Sequence, residues 1–226
     1  DMGDPVALAK EYFEAGADEI TFLDVSASLE GRVAMLDVIS RTAETIFIPL
    51  TVGGGVSKLD DVASYLEAGA DKVSIGSAAI SNPGLIDEIA AKYGDQIVVV
   101  SLDIVKDPSK PSGYALTTHG GTKLTDEDAF GWIRSNQHRG IGELLLNSVD
   151  ADGTREGFNE ELIRAVRKIT SLPLIASGGA GSADHFAPAV TAGANAVLAA
   201  SIFHESSVSI QEVKQALAKQ GMKVRM

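Results

Sequence analysis

The sequence predicts an α/β protein, a (β/α)8 barrel built from two half-barrel repeats. Short apolar runs alternate with segments of helical periodicity along the whole chain, the pattern of parallel βαβ units. Pro49–Ser77 and Pro173–Ser201 read as one unit written twice, 124 residues apart and without a gap. At that offset Gly54 meets Gly178, Gly55 meets Gly179, Ala68-Gly69-Ala70 meets Ala192-Gly193-Ala194, and Ser77 meets Ser201. The same offset pairs Gly16 with Gly140 and Glu19 with Glu143, so the duplication extends beyond the two stretches.

The elements follow in order. Asp4-Pro5 is a cap with proline in the first turn, and Ala7, Leu8, Tyr12, Phe13 and Ala15 fall on one helical face. A buried strand over Glu19–Asp24 ends on a carboxylate, and a helix over Val33–Thr45 follows. A strand over Phe47–Val52 runs into Gly53-Gly54-Gly55, before a helix over Lys58–Ala68, a strand over Lys72–Ile75 and a helix over Pro83–Tyr93. The second half opens with the strand Ile97–Asp103 and a polar loop, then a short hairpin beginning at Tyr114–Thr118. A helix over Asp126–Arg139, a strand over Glu143–Val149 and a helix over Glu160–Ile169 precede the second repeat unit, and a helix over Ile210–Gln220 closes the chain.

The second half holds four strand–helix units, the first half three and a helix without its strand. A barrel with a strand missing exposes two unpaired edges. The expectation is therefore one barrel domain over residues 1–226 that lacks its N-terminal first strand. An open doubly wound sheet is the alternative, and it fits the duplication less well.

Composition narrows the function. The 226 residues can bury a sizeable core, and 45% apolar with 22% charged residues is ordinary for a globular protein. A net charge of −12 argues against nucleic-acid binding, which needs clustered Lys and Arg, but it does not exclude a small anion held by backbone amides. There is no cysteine, hence no disulfide and no thiolate chemistry, which suits a reducing cytoplasm. No apolar run reaches the ~18–20 residues that span a bilayer, and no signal-peptide pattern stands at the start. No membrane partner is expected.

In such barrels the site lies at the C-terminal ends of the strands. That rim collects Asp24, Gly54, Gly55, Gly76, Ser77, Asp103, Asp150, Asp152, Gly153, Ser177, Gly178, Gly179, Ala200 and Ser201. Glycine lets backbone N–H groups approach a phosphate, and a following helix adds its dipole. Two equivalent glycine turns suggest two phosphate cradles and a ligand with a phosphate at each end; the bland reading is tight-turn geometry. Asp103 ends an apolar strand, where a carboxylate is costly without a role or a partner, and it is a candidate proton donor or acceptor. A rim aspartate capping its own turn is the competing reading, and for Asp24 and Asp150 it is the better one. His119, His138, His185 and His204 have no metal-ligand spacing, so no metal is expected. Trp132 and the tyrosines read as packing, and no dinucleotide fingerprint is present, so no cofactor is expected.

Several segments resemble one family: Phe22-Leu23-Asp24-Val25-Ser26-Ala27-Ser28, Thr51-Val52-Gly53-Gly54-Gly55, Ala70-Asp71-Lys72-Val73-Ser74-Ile75, Gly142-Glu143-Leu144-Leu145-Leu146-Asn147-Ser148, Asp150-Ala151-Asp152-Gly153-Thr154, Ala176-Ser177-Gly178-Gly179-Ala180-Gly181 and Ala199-Ala200-Ser201-Ile202-Phe203-His204. The chain is similar, along its whole length, to the cyclase subunits of imidazole glycerol phosphate synthase in histidine biosynthesis. The phosphoribosylformimino isomerases of the same pathway share the TIM barrel and duplication but not the Gly-Gly-Ala-Gly and Ala-Ser-Ile-Phe-His wording. An inactive phosphate-binding barrel fragment is the non-enzymatic alternative.

The resemblance implies a lyase reaction in which ammonia adds to a bis-phosphorylated aminoimidazole carboxamide ribonucleotide with a ribulosyl arm. The adduct cyclises and is cleaved to imidazole glycerol phosphate and aminoimidazole carboxamide ribotide. It implies Asp103 as one of two acid/base aspartates, the other falling on the absent strand. It places one phosphate on Gly55, Gly76 and Ser77 and the other on Asp152, Gly153, Gly179, Ala200 and Ser201. Gly76 departs from the family, where Asn is common. A glutaminase partner is implied at the N-terminal face, forming a heterodimer, with ammonia entering past Glu19, Lys72 and Glu143. The competing reading of those three is a structural salt-bridge floor.

Overall fold

The computed structural model describes residues 3–23 and 29–225. Asp4 caps the first helix, α1 (Pro5–Glu14), by accepting from the Val6 amide at 3.2 Å, as Asp4-Pro5 predicts. The chain continues through β1 (Ile20–Leu23), α2 (Leu29–Ala43), β2 (Leu50–Gly53), α3 (Leu59–Glu67), β3 (Lys72–Ile75), α4 (Ser77–Ser81), α5 (Gly84–Tyr93) and β4 (Val98–Lys106). A hairpin, β5 (Tyr114–Thr118) and β6 (Lys123–Asp128), leads to α6 (Ala129–Asn136), β7 (Glu143–Ser148), α7 (Glu160–Arg167) and β8 (Leu174–Ser177). Then come α8 (Phe186–Ala192), β9 (Ala196–Val197), α9 (Ser201–His204) and α10 (Ile210–Lys219).

The parallel strands pair in the order β1-β2-β3-β4-β7-β8-β9, and the β5–β6 hairpin hangs from β4. Spatial order equals chain order, as in a barrel; a doubly wound sheet reverses direction midway. The fold is TIM-barrel-like, and the doubly wound alternative falls. Among the described residues β1 and β9 each have one pairing neighbour. The helix layer nevertheless joins the two ends of the sheet. The Tyr12 hydroxyl of α1 lies 2.6 Å from Nδ1 of His204 on α9. Lys214 of α10 reaches Asp18 at 2.9 Å, and Arg225 reaches the same carboxylate at 3.1 Å.

Period-two alternation separates two faces. Leu50, Val52, Val73, Ile75, Val98, Val100, Leu102, Ile104, Leu144, Leu146 and Leu174 are buried in one cluster with helix residues such as Ile39, Val62, Ile89, Ile133 and Val166. The alternate positions, Thr51, Lys72, Ser74, Val99, Ser101, Asp103, Glu143, Leu145, Asn147 and Ser177, therefore face the barrel interior. Cross-strand register agrees: Thr51 pairs with Lys72, Ser74 with Val99, Val99 with Glu143, and Asn147 with Ser177.

Two strands differ from expectation. The strand expected from Phe47 starts at Leu50 instead. Pro49 has no amide for the ladder, although its carbonyl accepts from Ile20 at 3.0 Å. Phe47 is 84% exposed, its ring edge-on to Phe13. The strand expected to end at Asp103 runs on to Lys106, because β5 pairs antiparallel with Asp103–Lys106. The helix α4 was absent from the sequence reading; it begins directly at the Gly76-Ser77 turn.

Candidate functional site

At the C-terminal rim three adjacent strands bring inward-facing side chains to one level. Asp103 of β4 is the cross-strand partner of Asn147 on β7, which is the partner of Ser177 on β8. The Asn147 amide nitrogen donates to Asp103 Oδ1 at 2.9 Å. The Thr117 hydroxyl donates to the Asp103 carbonyl at 3.0 Å, fixing the backbone from the hairpin side. The carboxylate that the apolar strand makes costly thus has a partner, and it still faces the open end of the barrel.

Beside this row lies the turn Gly178-Gly179, with φ of 88° and 104°. Space as well as conformation requires glycine there. A Cβ on Gly179 would lie 2.1 Å from the Gly157 carbonyl, and one on Gly178 would lie 2.8 Å from the Ser148 carbonyl. The loop after β7 packs onto this turn, with Gly157 N donating to the Gly179 carbonyl at 2.8 Å. Asp152 and Thr154 use their amides inside that loop, on the carbonyls of Ser148 and Ala151. Within Asp152-Gly153-Thr154, Gly153 alone keeps its amide uncommitted among the described residues. Among the described residues the amides of Gly153, Gly178, Gly179, Ala200 and Ser201 donate no hydrogen bond. A cluster of such N–H groups at a turn and a helix start makes an anion-binding concavity.

The repeat-equivalent corner has the same backbone. Gly54 and Gly55 are left-handed, at φ of 112° and 62°. Gly76 precedes α4 at φ −113° and ψ −96°, much as Ala200 precedes α9 at φ −123° and ψ −67°. Asp61 folds the turn into α3 by accepting from the amides of Ser57 at 2.8 Å and Lys58 at 3.1 Å. Tyr65 donates to the Gly54 carbonyl at 2.9 Å. The Ser77 hydroxyl accepts from the His119 amide at 2.9 Å, which ties the hairpin to this corner. Between the corner and the hairpin lies a cavity of about 790 Å³, lined by Gly55, Ser77, Thr118, His119 and Lys123.

At the opposite end of the interior Lys72 bridges Glu19 at 2.9 Å and Glu143 at 2.8 Å. Thr51 donates its hydroxyl to the other Glu19 oxygen. Glu143 Oε2 is buried and has no partner among the described residues. Burial alone would lower the Lys72 pKa, but the hydrogen bonds to Glu143 and Glu19 outweigh it and raise it above the ordinary lysine value.

The remaining candidates separate. Asp150 Oδ2 accepts from the Lys106 amide at 2.7 Å, so it does hold a backbone amide, but that of the neighbouring strand end rather than of its own loop. Asp24 lies outside the described residues. The sequence motifs do not by themselves single out Asn147. Its signal was available: a polar residue four positions after Glu143, in phase with it, inside an apolar strand. Among the described residues no group of three or more His, Asp or Glu side chains is placed to hold a metal ion, and no helix is long and apolar enough to cross a membrane.

The family described as "Histidine biosynthesis protein" matches residues 1–209. The imidazole glycerol phosphate synthase subunit HisF of Corynebacterium urealyticum is 60% identical over 219 residues, covering 97% of this chain and 87% of that protein. The HisF subunits of Clavibacter michiganensis and Thermobifida fusca are each 57% identical, covering all of this chain and 85% and 89% of their own lengths. The chain belongs to the HisF family. This membership accords with the TIM-barrel-like sheet and makes the chain an enzyme subunit of histidine biosynthesis. The departure at Gly76 has room around it: a Cβ there would first meet the Ser101 carbonyl, at 3.4 Å, an ordinary contact. Nothing in the backbone of this HisF chain thus forbids a larger residue at that corner.

Proposed function

We propose that this chain performs the cyclase step of imidazole glycerol phosphate synthase, as a single barrel domain. Ammonia adds to the bis-phosphorylated ribulosyl aminoimidazole carboxamide ribonucleotide. Ring closure and cleavage, with loss of the ribulosyl ketone oxygen as water, then give imidazole glycerol phosphate and aminoimidazole carboxamide ribotide. The observation that carries this reading is the position of Asp103 at the rim that also bears two glycine corners related by the 124-residue repeat. Such a rim suits a ligand with a phosphate at each end and its reacting middle over the carboxylate.

In this mechanism Gly54, Gly55, Gly76 and Ser77 hold one phosphate. Gly153, Gly178, Gly179, Ala200 and Ser201 hold the other, with Asp152 and Ser177 shaping that corner. Backbone N–H groups need no net positive charge, which reconciles a bis-phosphate with a chain of net charge −12. Asp103 transfers protons during ring closure and cleavage, as one of two acid/base aspartates. Ammonia comes from a glutaminase subunit docked at the N-terminal face. It enters past Glu19, Lys72 and Glu143 and crosses an interior of small polar and apolar side chains, Ser74, Val99, Ser101 and Leu145. The reaction belongs in the cytoplasm, where this biosynthesis draws on soluble metabolites.

The test is release of aminoimidazole carboxamide ribotide from the bis-phosphate substrate and an ammonium salt. Glutamine should replace ammonium only when the glutaminase subunit is added. Absence of ammonium-dependent turnover in a full-length chain with Asp103 intact would sink the proposal.

A further inference from the structure

Asn147 stands between the carboxylate and one of the glycine corners. Its Nδ2 donates to Asp103 Oδ1 at 2.9 Å. Its own carbonyl oxygen sits so close to the next turn that a Cβ on Gly178 would lie 3.0 Å from it. Asp103, Asn147 and Ser177 occupy one cross-strand row, so the carboxamide cannot slide along its strand without leaving the register. Oδ1 is thus taken by an N–H that is itself held in the row, which limits the rotation of the carboxylate.

We infer that Asn147 is the positioning residue of Asp103: it holds Oδ1, presents Oδ2 to the reacting atoms, and is itself seated by the space that Gly178 leaves. This deepens the cyclase reading and rests on it. An Asn is suited to the task, since it donates through Nδ2 and adds no charge beside the carboxylate. An Asp at the same place would keep the shape, lose the donor and set two carboxylates side by side, so that one of them would hold its proton to higher pH.

The experiment uses the full-length chain with saturating ammonium salt, so that glutaminase coupling does not enter. Asn147→Ala should lower kcat by about 10- to 100-fold, the effect of a reacting group displaced by about an ångström. The KM for the bis-phosphate substrate should stay within about 2-fold, because both glycine corners are untouched. Asn147→Asp should move the acidic limb of the kcat profile to higher pH, a change that a packing role would not produce. In an Asp103→Asn background, Asn147→Ala should cost little further activity, since the two side chains act as a unit. Unchanged kcat in Asn147→Ala, or an equal loss with and without Asp103, would overturn the inference. A wild-type chain without ammonium-dependent turnover would instead remove the cyclase reading beneath it. Thermal unfolding of each variant separates lost positioning from lost fold, and a destabilised Asn147→Ala leaves the pH limb of Asn147→Asp to decide.

Discussion

Lys72 and Glu143, on strands that are not neighbours, meet across the barrel floor at 2.8 Å, and the same ammonium holds Glu19 at 2.9 Å. One cation thus bridges two carboxylates that are equivalents in the repeat. Replacing Lys72 with Met leaves both carboxylates facing each other in a partly buried space. We expect a loss of about 2–3 kcal/mol, below the value for a fully buried pair because all three side chains keep some water contact. Urea unfolding of Lys72→Met against wild type measures it. The pH dependence has a definite sign. The folded pKa of Lys72 is raised, so its contribution is complete below the unfolded value of about 10.4 and fades as pH rises through the higher folded value. Through the alkaline range the gap between wild type and variant should therefore persist until the pH passes the raised Lys72 value.

Asp103→Asn should reduce ammonium-dependent turnover by about 100-fold or more, the usual worth of a positioned proton-transfer group. Substrate KM should change by no more than a few-fold, because phosphate contacts are made elsewhere. Steady-state kinetics with varied substrate separate the two parameters. A variant with wild-type kcat would remove Asp103 from the chemistry.

The glycine corners should respond unequally to substitution. Gly179→Ala must adopt φ near 104° and brings a Cβ within 2.1 Å of the Gly157 carbonyl, so the loop after β7 has to move. Left-handed strain and the clash together should destabilise by about 1–3 kcal/mol or more, and the substrate KM should rise. Gly76→Asn has φ −113° and its first contact at 3.4 Å, so its stability should stay within about 0.5 kcal/mol of wild type. If phosphate binds at that corner, the added amide should lower the KM rather than raise it.

Asp128 caps α6 and pins the loop before the hairpin, accepting from Gly131 N at 2.7 Å and Ser112 N at 2.8 Å. Burial would raise its pKa, but the hydrogen bonds from Ser112 and Gly131 prevail and hold it below the usual carboxylate range. Its contribution is present above the unfolded value of about 3.9 and is lost as pH falls through the lower folded value. Asp128→Ala should cost about 1–2 kcal/mol at neutral pH, and less in acid. Denaturation midpoints at pH 7 and pH 3 give both numbers.

The barrel was legible because the 124-residue duplication and the alternation of short apolar runs with helical segments are written in the sequence itself. Lys72–Ile75 was located to the residue, since both its flanks are turn-forming. Phe47–Pro49 was misread as strand because hydrophobicity alone does not reveal that Pro49 breaks the ladder or that Phe47 turns outward. The extension of β4 past Asp103 was invisible because it depends on antiparallel pairing with β5, which composition does not reveal. At the site, the repeat pairs Gly54-Gly55 with Gly178-Gly179, and all four are left-handed. The role of Asp152 was harder to read, because whether an amide is already committed depends on a loop conformation that spacing does not specify. Asn147 showed in the sequence as a polar residue in phase with Glu143, but that its amide meets the Asp103 carboxylate is a cross-strand fact.

The contacts that join α1 to α9 and α10 link residues 192 positions apart for Tyr12 and His204, and 196 apart for Lys214 and Asp18. No contact of that span can form until the intervening βα units have brought the ends of the chain together. Docking of these helices is thus expected late in folding, and interactions made late act on the rate of unfolding more than on the rate of folding. The Tyr12–His204 pair is in this sense a kinetic fastening. Loosening it would shorten the lifetime of the native barrel while leaving almost unchanged the speed at which the chain finds it.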